Sequence, residues 1–238
     1  MHDLHKDSLA HTQLEPVSGL RYRLRPAQQA QPGQDKAPCL VLLHGVGGNE
    51  TDLAEVARQF DPRLTVVLAR GPLELGPGQY AWFRVAFTAA GPAIDAAQAE
   101  SSRVTLLDFI GQLPKLHEID PARIWLAGFS QGGIMSASVG LTAPARLAGF
   151  GILSGRILPE VLPLVKPDGA LAQLPAFVSH GVDDGTLGIA FARKARTVLE
   201  GYGLPLSYHE YAGGHRLSRP MLLDFRGWLD EQLGPVEN

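Results

Sequence analysis

The chain has 238 residues, 45% of them hydrophobic and 19% charged, with a formal net charge of −3 at pH 7. That length fits one large domain with a full core better than two small ones, and the composition is that of an ordinary globular protein. A slightly acidic balance with no Lys/Arg cluster excludes a nucleic-acid footprint, and no apolar run approaches the roughly 20 residues that span a bilayer.

Residues 1–18 read as a weakly ordered lead-in, and 19–238 as a single domain. The first eight residues are polar and lack the apolar core of a secretion signal, so a cytoplasmic protein is expected. Leu20 to Arg25 alternates apolar with charged residues, as a half-exposed edge strand does, and a polar Gln/Pro/Gly loop follows. Beyond it, short apolar runs alternate with longer segments of helical period. Strands are expected at 39–44, 64–69, 123–127, 147–153, 174–180 and 206–211; helices are expected at about 51–59, 94–113, 131–141, 187–201 and 218–233. Runs such as Cys39-Leu-Val-Leu-Leu43 are apolar on both faces, which suits strands covered by helices on each side. This repetition predicts an α/β fold with a mostly parallel sheet in three layers. The single cysteine, Cys39, excludes an internal disulfide and reads as a small buried side chain. Two longer segments, 71–83 and 155–173, are read as irregular loops on the carboxyl-end rim of the sheet.

Gly128-Phe-Ser130-Gln-Gly132 matches the G-x-S-x-G nucleophile elbow. The chemistry needs this spacing because the chain must leave a strand and enter a helix in one abrupt turn, with serine at its apex. Glycines two positions to either side keep the turn free of Cβ clashes. The following helix then aims its N–H groups and positive dipole end at the reacting oxygen. A short motif in a glycine-rich chain arises by chance, so context decides. Arg123-Ile-Trp-Leu-Ala127 reads as a buried strand before it, and a small-residue helix follows from Gly132.

A serine hydroxyl needs a base. Of the eight histidines, His2, His5 and His11 lie in the lead-in, and His117 falls at a helix end. His209 sits within a strand, and His44 and His180 end apolar strands. His215, in Ala212-Gly-Gly-His215, follows the last strand and completes the chain order serine, acid, histidine. The acid lies in His180-Gly-Val-Asp183-Asp184, where two adjacent carboxylates are available to fix the imidazole tautomer. A metal site built on His180 and these aspartates lacks further ligand spacing. An oxyanion hole needs two converging N–H groups. Gln131 supplies one, and the glycine-rich loop His44-Gly-Val-Gly-Gly-Asn-Glu50 supplies the other, with Val46 as the donor. That loop has no Lys-Ser/Thr ending and is not read as a P-loop.

Together, Leu42-Leu-His-Gly-Val-Gly-Gly-Asn49, Arg70-Gly-Pro-Leu73, Ala81-Trp-Phe83, Gly128-Phe-Ser-Gln-Gly132, Leu153-Ser-Gly155, His180-Gly-Val-Asp-Asp184 and Gly214-His-Arg-Leu-Ser218 carry a resemblance. The chain resembles the phospholipase/carboxylesterase family of α/β-hydrolases, which includes acyl-protein thioesterases, from about Pro38 to the C-terminal helix. The resemblance implies an α/β-hydrolase fold with little or no cap domain, no metal, no cofactor and a small-molecule ester or thioester substrate. In such families the acid lies four residues after the histidine of the H-G-x-x-D stretch, which points to Asp184 and leaves Asp183 as its neighbour. The leading expectation is a serine esterase for short to medium acyl chains. Its rivals are a long-chain protein thioesterase or lysophospholipase and, from another class, a silent binding module on the same fold. Trp82, Phe83, Ile157 and Leu187, with Val46, are the expected pocket lining. The sequence leaves a homodimer open.

Overall fold

Strands that are apolar on both faces must be covered on both faces, and the computed structural model, which describes residues 9–29, 36–88 and 91–235, is built that way. The chain opens with β1 (Gln13–Leu14), β2 (Arg21–Arg25), β3 (Ala37–Leu43), α1 (Ala54–Ala57) and β4 (Thr65–Ala69). Two hairpins follow, β5 (Leu73–Gly76) with β6 (Gln79–Ala81) and β7 (Val85–Thr88) with β8 (Gly91–Ile94). Then come α2 (Ala96–Leu116), β9 (Ile119–Phe129), α3 (Gln131–Thr142), β10 (Gly149–Leu153) and α4 (Gly169–Gln173). The chain ends with β11 (Ala176–Gly181), α5 (Ala190–Gly201), β12 (Leu206–Tyr211) and α6 (Arg219–Leu233). The main sheet has eight strands in the order β1-β2-β4-β3-β9-β10-β11-β12. From β4 to β12 every neighbour is parallel, while β1 and β2 are antiparallel. This is the α/β-hydrolase fold.

The period of two along each strand divides the core. Cys39, Val41 and Leu43 of β3 and Ile124 and Leu126 of β9 face α2, α3 and α5, where Leu106, Phe109, Met135 and Leu199 cover them. Leu40, Leu42, Trp125 and Ala127 face the other way, under Phe60 beyond α1 and Phe225, Trp228 and Leu229 of α6. Cys39 is fully buried, and burial pushes its thiol pKa up, as expected of a structural cysteine.

The segment 155–173, read as irregular, carries a 3-10 turn at Pro159–Leu164 and the short helix α4, capped by Asp168, and the structure corrects three further expectations. Part of the lead-in is built into the fold, because β1 pairs with β2, Leu9 is buried, and the buried Glu15 accepts the amides of Val17 and Ser18 at 2.9 and 2.6 Å. Residues 1–8 lie outside the described residues. Next, 71–83 is no irregular loop. It holds the β5–β6 hairpin, whose largely exposed side chains leave no apolar alternation to read. Third, the long helix begins at Ala96, with Asp95 accepting the Gln98 amide as N-cap, because the residues just before it pair as β7–β8.

Phe225 is fully buried and meets Phe60, Phe177 and Trp228 at ring-centroid distances of 5.7, 5.3 and 5.7 Å. Phe225→Ala should cost about 3–5 kcal/mol through lost burial and a residual cavity. The urea midpoint checks this, and a loss under ~1 kcal/mol would mean the α6 face repacks freely.

Candidate active site

Four loops leave the carboxyl ends of β3, β9, β11 and β12 on one edge of the sheet, where open parallel sheets bind ligands. They deliver His44–Asn49, Ser130, Asp184 and His215. Ser130 sits between β9 and α3 with φ 54° and ψ −115°, a strained conformation for a residue with a Cβ. Its amide donates to Leu153 O at 2.8 Å, which fastens the turn to β10. A Cβ on Gly128 would run into the backbone of Gly132, and one on Gly132 into the carbonyl of Leu43. The glycines of the elbow are therefore required by contact, not merely by flexibility.

The three polar side chains form one chain. His215 Nε2 and Ser130 Oγ are 2.8 Å apart, and His215 Nδ1 lies 2.6 Å from Asp184 Oδ2. Asp184 Oδ1 accepts the amides of Thr186 and Leu187, each at 2.8 Å. Burial raises the Asp184 carboxyl pKa, but the hydrogen bonds from His215 and from the Leu187 and Thr186 amides outweigh it, leaving the group below the usual carboxylate range. An ionised Asp184 requires a proton on His215 Nδ1, which leaves Nε2 free to accept from the serine hydroxyl. Asp183 is exposed and accepts the Gly213 amide at 3.2 Å, so it props the histidine loop without touching the imidazole. Behind Asp184 lies the fully buried His180, whose Nε2 is 2.6 Å from Leu187 O and 3.2 Å from Asp184 Oδ2. Burial lowers the His180 pKa, and a neutral ring donating from Nε2 satisfies both oxygens.

Val46 and Gln131 line the same pocket as Ser130 and His215. Gln131 opens α3, so its amide is one of the free donors at a helix start. Its side chain is tied down from both ends, accepting the Trp82 amide at 2.7 Å and donating to Phe83 O at 2.6 Å. The loop after β3 is held as firmly. His44 Nδ1 donates to Gly45 O at 2.7 Å, while Nε2 accepts the Gly71 amide at 2.9 Å. Burial lowers the His44 pKa, in keeping with the neutral ring that this pair of bonds requires. Gly47 donates to Tyr80 O and Tyr80 to Gly48 O, each at 2.8 Å, so the β5–β6 hairpin buttresses the loop.

The pocket holds about 290 Å³, walled mostly by apolar side chains. Phe83, Leu187 and Val46 line it as expected. Trp82 and Ile157 do not. Trp82 is fully buried because its indole N–H must find a partner, and it donates to His44 O at 3.0 Å, behind the loop. Ile157 packs against the core while its neighbour Arg156 reaches the pocket. Sequence reasoning missed Phe129, Ile134, Val85, Ile94 and Arg156 in the lining. Phe129 and Ile134 were findable, one beside the serine and one a helical turn after it. Val85 and Ile94 are a cross-strand pair of β7–β8, a contact with no local signal.

The family model described as Phospholipase/Carboxylesterase matches residues 27–232. The chain belongs to this family. It is 35% identical over 120 residues to acyl-protein thioesterase 1 of Gibberella zeae, an alignment covering 49% of this chain and only 51% of that protein. Against acyl-protein thioesterase 1 of Emericella nidulans it is 26% identical over 228 residues, 84% of this chain and 91% of that protein. The crystal structure of a carboxylesterase from Mesorhizobium loti superimposes with a TM-score of 0.76 at 25% identity, covering 94% of this chain and 99% of that one. Family and geometry together make the protein a serine ester hydrolase. Among the described residues no helix is long and apolar enough to cross a membrane.

One ion pair stabilises the loop carrying Val46. Buried Glu50 accepts from Arg70 Nη2 at 2.5 Å and Nε at 2.6 Å, and from Thr12 Oγ1 at 2.7 Å. Burial raises the Glu50 pKa, but these bonds prevail and pull it down to about 2. A carboxyl depressed in the folded state contributes stability above its unfolded pKa and loses it as pH falls. The stability gap between the wild type and Glu50→Gln should therefore be full above about pH 5 and shrink by ~3 kcal/mol as the pH falls to 2. Urea melts across that range check it, and a gap independent of pH would show that Glu50 is not ionised in the fold.

Proposed function

We propose that this ester hydrolase cleaves carboxylic esters of short to medium acyl chains, with Ser130 as nucleophile, His215 as general base and acid, and Asp184 as the carboxylate that orients His215. The observation that carries this reading is the unbroken chain Asp184–His215–Ser130 opening onto an apolar pocket of about 290 Å³. His215 Nε2 takes the proton of Ser130 as Oγ attacks the ester carbonyl, and the amides of Val46 and Gln131 receive the developing oxyanion. The imidazolium returns its proton to the departing alcohol. Water, deprotonated by the same imidazole, then releases the acid and restores Ser130. Asp184 stabilises the imidazolium throughout without being protonated itself.

The acyl limit follows from volume. A pocket near 290 Å³ stands at the small end of ligand sites, and Phe83, Phe129 and Leu187 fill space that a longer groove would leave open. Each methylene that fits adds up to ~0.8 kcal/mol of binding, about fourfold, until the pocket is full. The relatives named acyl-protein thioesterases favour a second reading, removal of long acyl groups from proteins. A p-nitrophenyl ester series separates the two. We expect kcat/KM to peak at short to medium chains and to fall by palmitoyl, whereas a steady climb to long chains would hand the assignment to the thioesterase reading.

Removing the proposed nucleophile tests the rest. Ser130→Ala should lower ester turnover by roughly 10³-fold or more in a folded protein, with residual rate from binding and the oxyanion donors alone. Asp184→Asn should cost on the order of 10³ to 10⁴ in kcat by inverting the histidine tautomer, and Asp183→Asn should cost far less. A Ser130→Ala protein retaining a tenth of its rate, or the reverse ranking of the aspartates, would refute the corresponding role.

A further inference from the structure

Arg156 has no part in the chemistry above, yet it lines the same pocket as Ser130, His215, Phe83 and Leu187. Its charge is unmatched there. Among the described residues no carboxylate lies within 4.0 Å of the guanidinium, and its buried Nε donates to no protein acceptor. The one acidic group that acts on it, Glu160, is exposed and more distant. Instead the guanidinium carbon lies over the Phe191 ring on α5, 4.9 Å from its centroid, a contact that does not neutralise the charge. Burial lowers its pKa, but arginine remains a cation at any working pH. A half-buried cation in an apolar wall loses hydration, and a substrate anion would restore its partner, preferably with a planar fork that accepts two N–H bonds.

We infer that the pocket takes esters carrying a free carboxylate at the end remote from the scissile bond, that is, monoesters of dicarboxylic acids, with the ester carbonyl at Ser130 and the free carboxylate at Arg156. The inference rests on the esterase reading and names its substrate class. The reaction is ordinary hydrolysis. The acyl C–O bond breaks, the alcohol leaves with the proton held by His215, and water cleaves the acyl-Ser130 ester to free the dicarboxylate. The carboxylate at Arg156 stays ionised and unreacted. Arg156 thereby acts in selection, accepting charged chains that an apolar pocket alone would reject.

The test is a pair of matched series followed by pH-stat. Monoethyl succinate, glutarate and adipate are compared with ethyl butanoate, pentanoate and hexanoate, for the wild type, Arg156→Met and Arg156→Lys. At least one monoester should exceed its neutral match by about tenfold or more in kcat/KM, and the length at which the ratio peaks reads the distance from Ser130 to Arg156. Arg156→Met should bring that ratio below one, chiefly by raising KM for the monoester. Arg156→Lys, which keeps the charge but not the fork, should retain part of it and guards against a misfolded methionine variant. A wild type that turns over the neutral esters with no monoester preferred would overturn the inference and leave the esterase reading standing. A preference that survives in Arg156→Met would overturn it equally. If no ester of either series is turned over, the esterase reading falls first, and this inference with it.

Discussion

The architecture depends on how closely α3 approaches the end of β9. The backbone of Gly132 leaves no room for a Cβ on Gly128, and the carbonyl of Leu43 leaves none for a Cβ on Gly132. That proximity forces the chain through the strained turn that holds Ser130 at φ 54°. The strain is supported on several sides: Ser130 N is bonded to Leu153 O, Ser154 N to Ser179 O, and every residue of α3 from Gln131 to Leu141 is buried. A helix so enclosed has to be made of small residues. Gly132, Gly133, Ser136, Ala137, Ser138 and Gly140 let it lie against β3, β9 and β10, while Ser136 and Ser138 satisfy their hydroxyls on the carbonyls of Leu126 and Ile134. The position of Ser130 at the pocket is thus a consequence of core packing behind it, and strain of this sort persists only where the surroundings over-determine it.

Around that fixed point the remaining parts are set by buried polar groups that each had to find a partner. Trp82, Gln131 and His44 form a connected set in which an indole N–H, both ends of one side-chain amide and an imidazole are all satisfied by backbone. The set fastens the loop after β3 and the 82–83 segment to the start of α3. The amides of Val46 and Gln131 are thereby held in place without any substrate, the condition that the oxyanion role proposed for them requires. Glu50 and Arg70 do the same from the outer side of the loop, and Tyr80 links them to the β5–β6 hairpin through both a hydrogen bond and the face of its ring.

Charge is distributed unevenly across the site. The anion of Asp184 is buried and fully engaged, with His215, two amides and His180 all directed at its oxygens. The cation of Arg156 lines the pocket with an aromatic face as its neighbour. The first charge keeps the imidazole in the tautomer that accepts a proton. The second gives the apolar cavity a direction.

The sequence by itself determined the layers of the fold and the strands and helices of its parallel core, and it singled out Ser130, His215 and the Asp183–Asp184 pair, which the fold brings to one edge of the sheet. Runs apolar on both faces can only be covered strands, and a glycine-flanked serine between strand and helix has few other readings. Local pattern carried these because covered strands and tight turns constrain their own residues. It carried the choice between the two aspartates only through a resemblance, since neighbouring carboxylates look alike until one is seen to turn inward. The pocket was decided by tertiary structure. Trp82 and Phe83 are adjacent and equally aromatic, yet one is drawn behind the loop by its indole N–H and the other faces the cavity. Ile157 and Arg156 exchange the positions that hydrophobicity would give them, and Val85 and Ile94 come to the pocket of Ser130 only through the pairing of β7 with β8. Which way a side chain points near a concave surface depends on the partners that other segments bring to it. That information lies in contacts between segments distant in sequence, so no single stretch of this chain contains it.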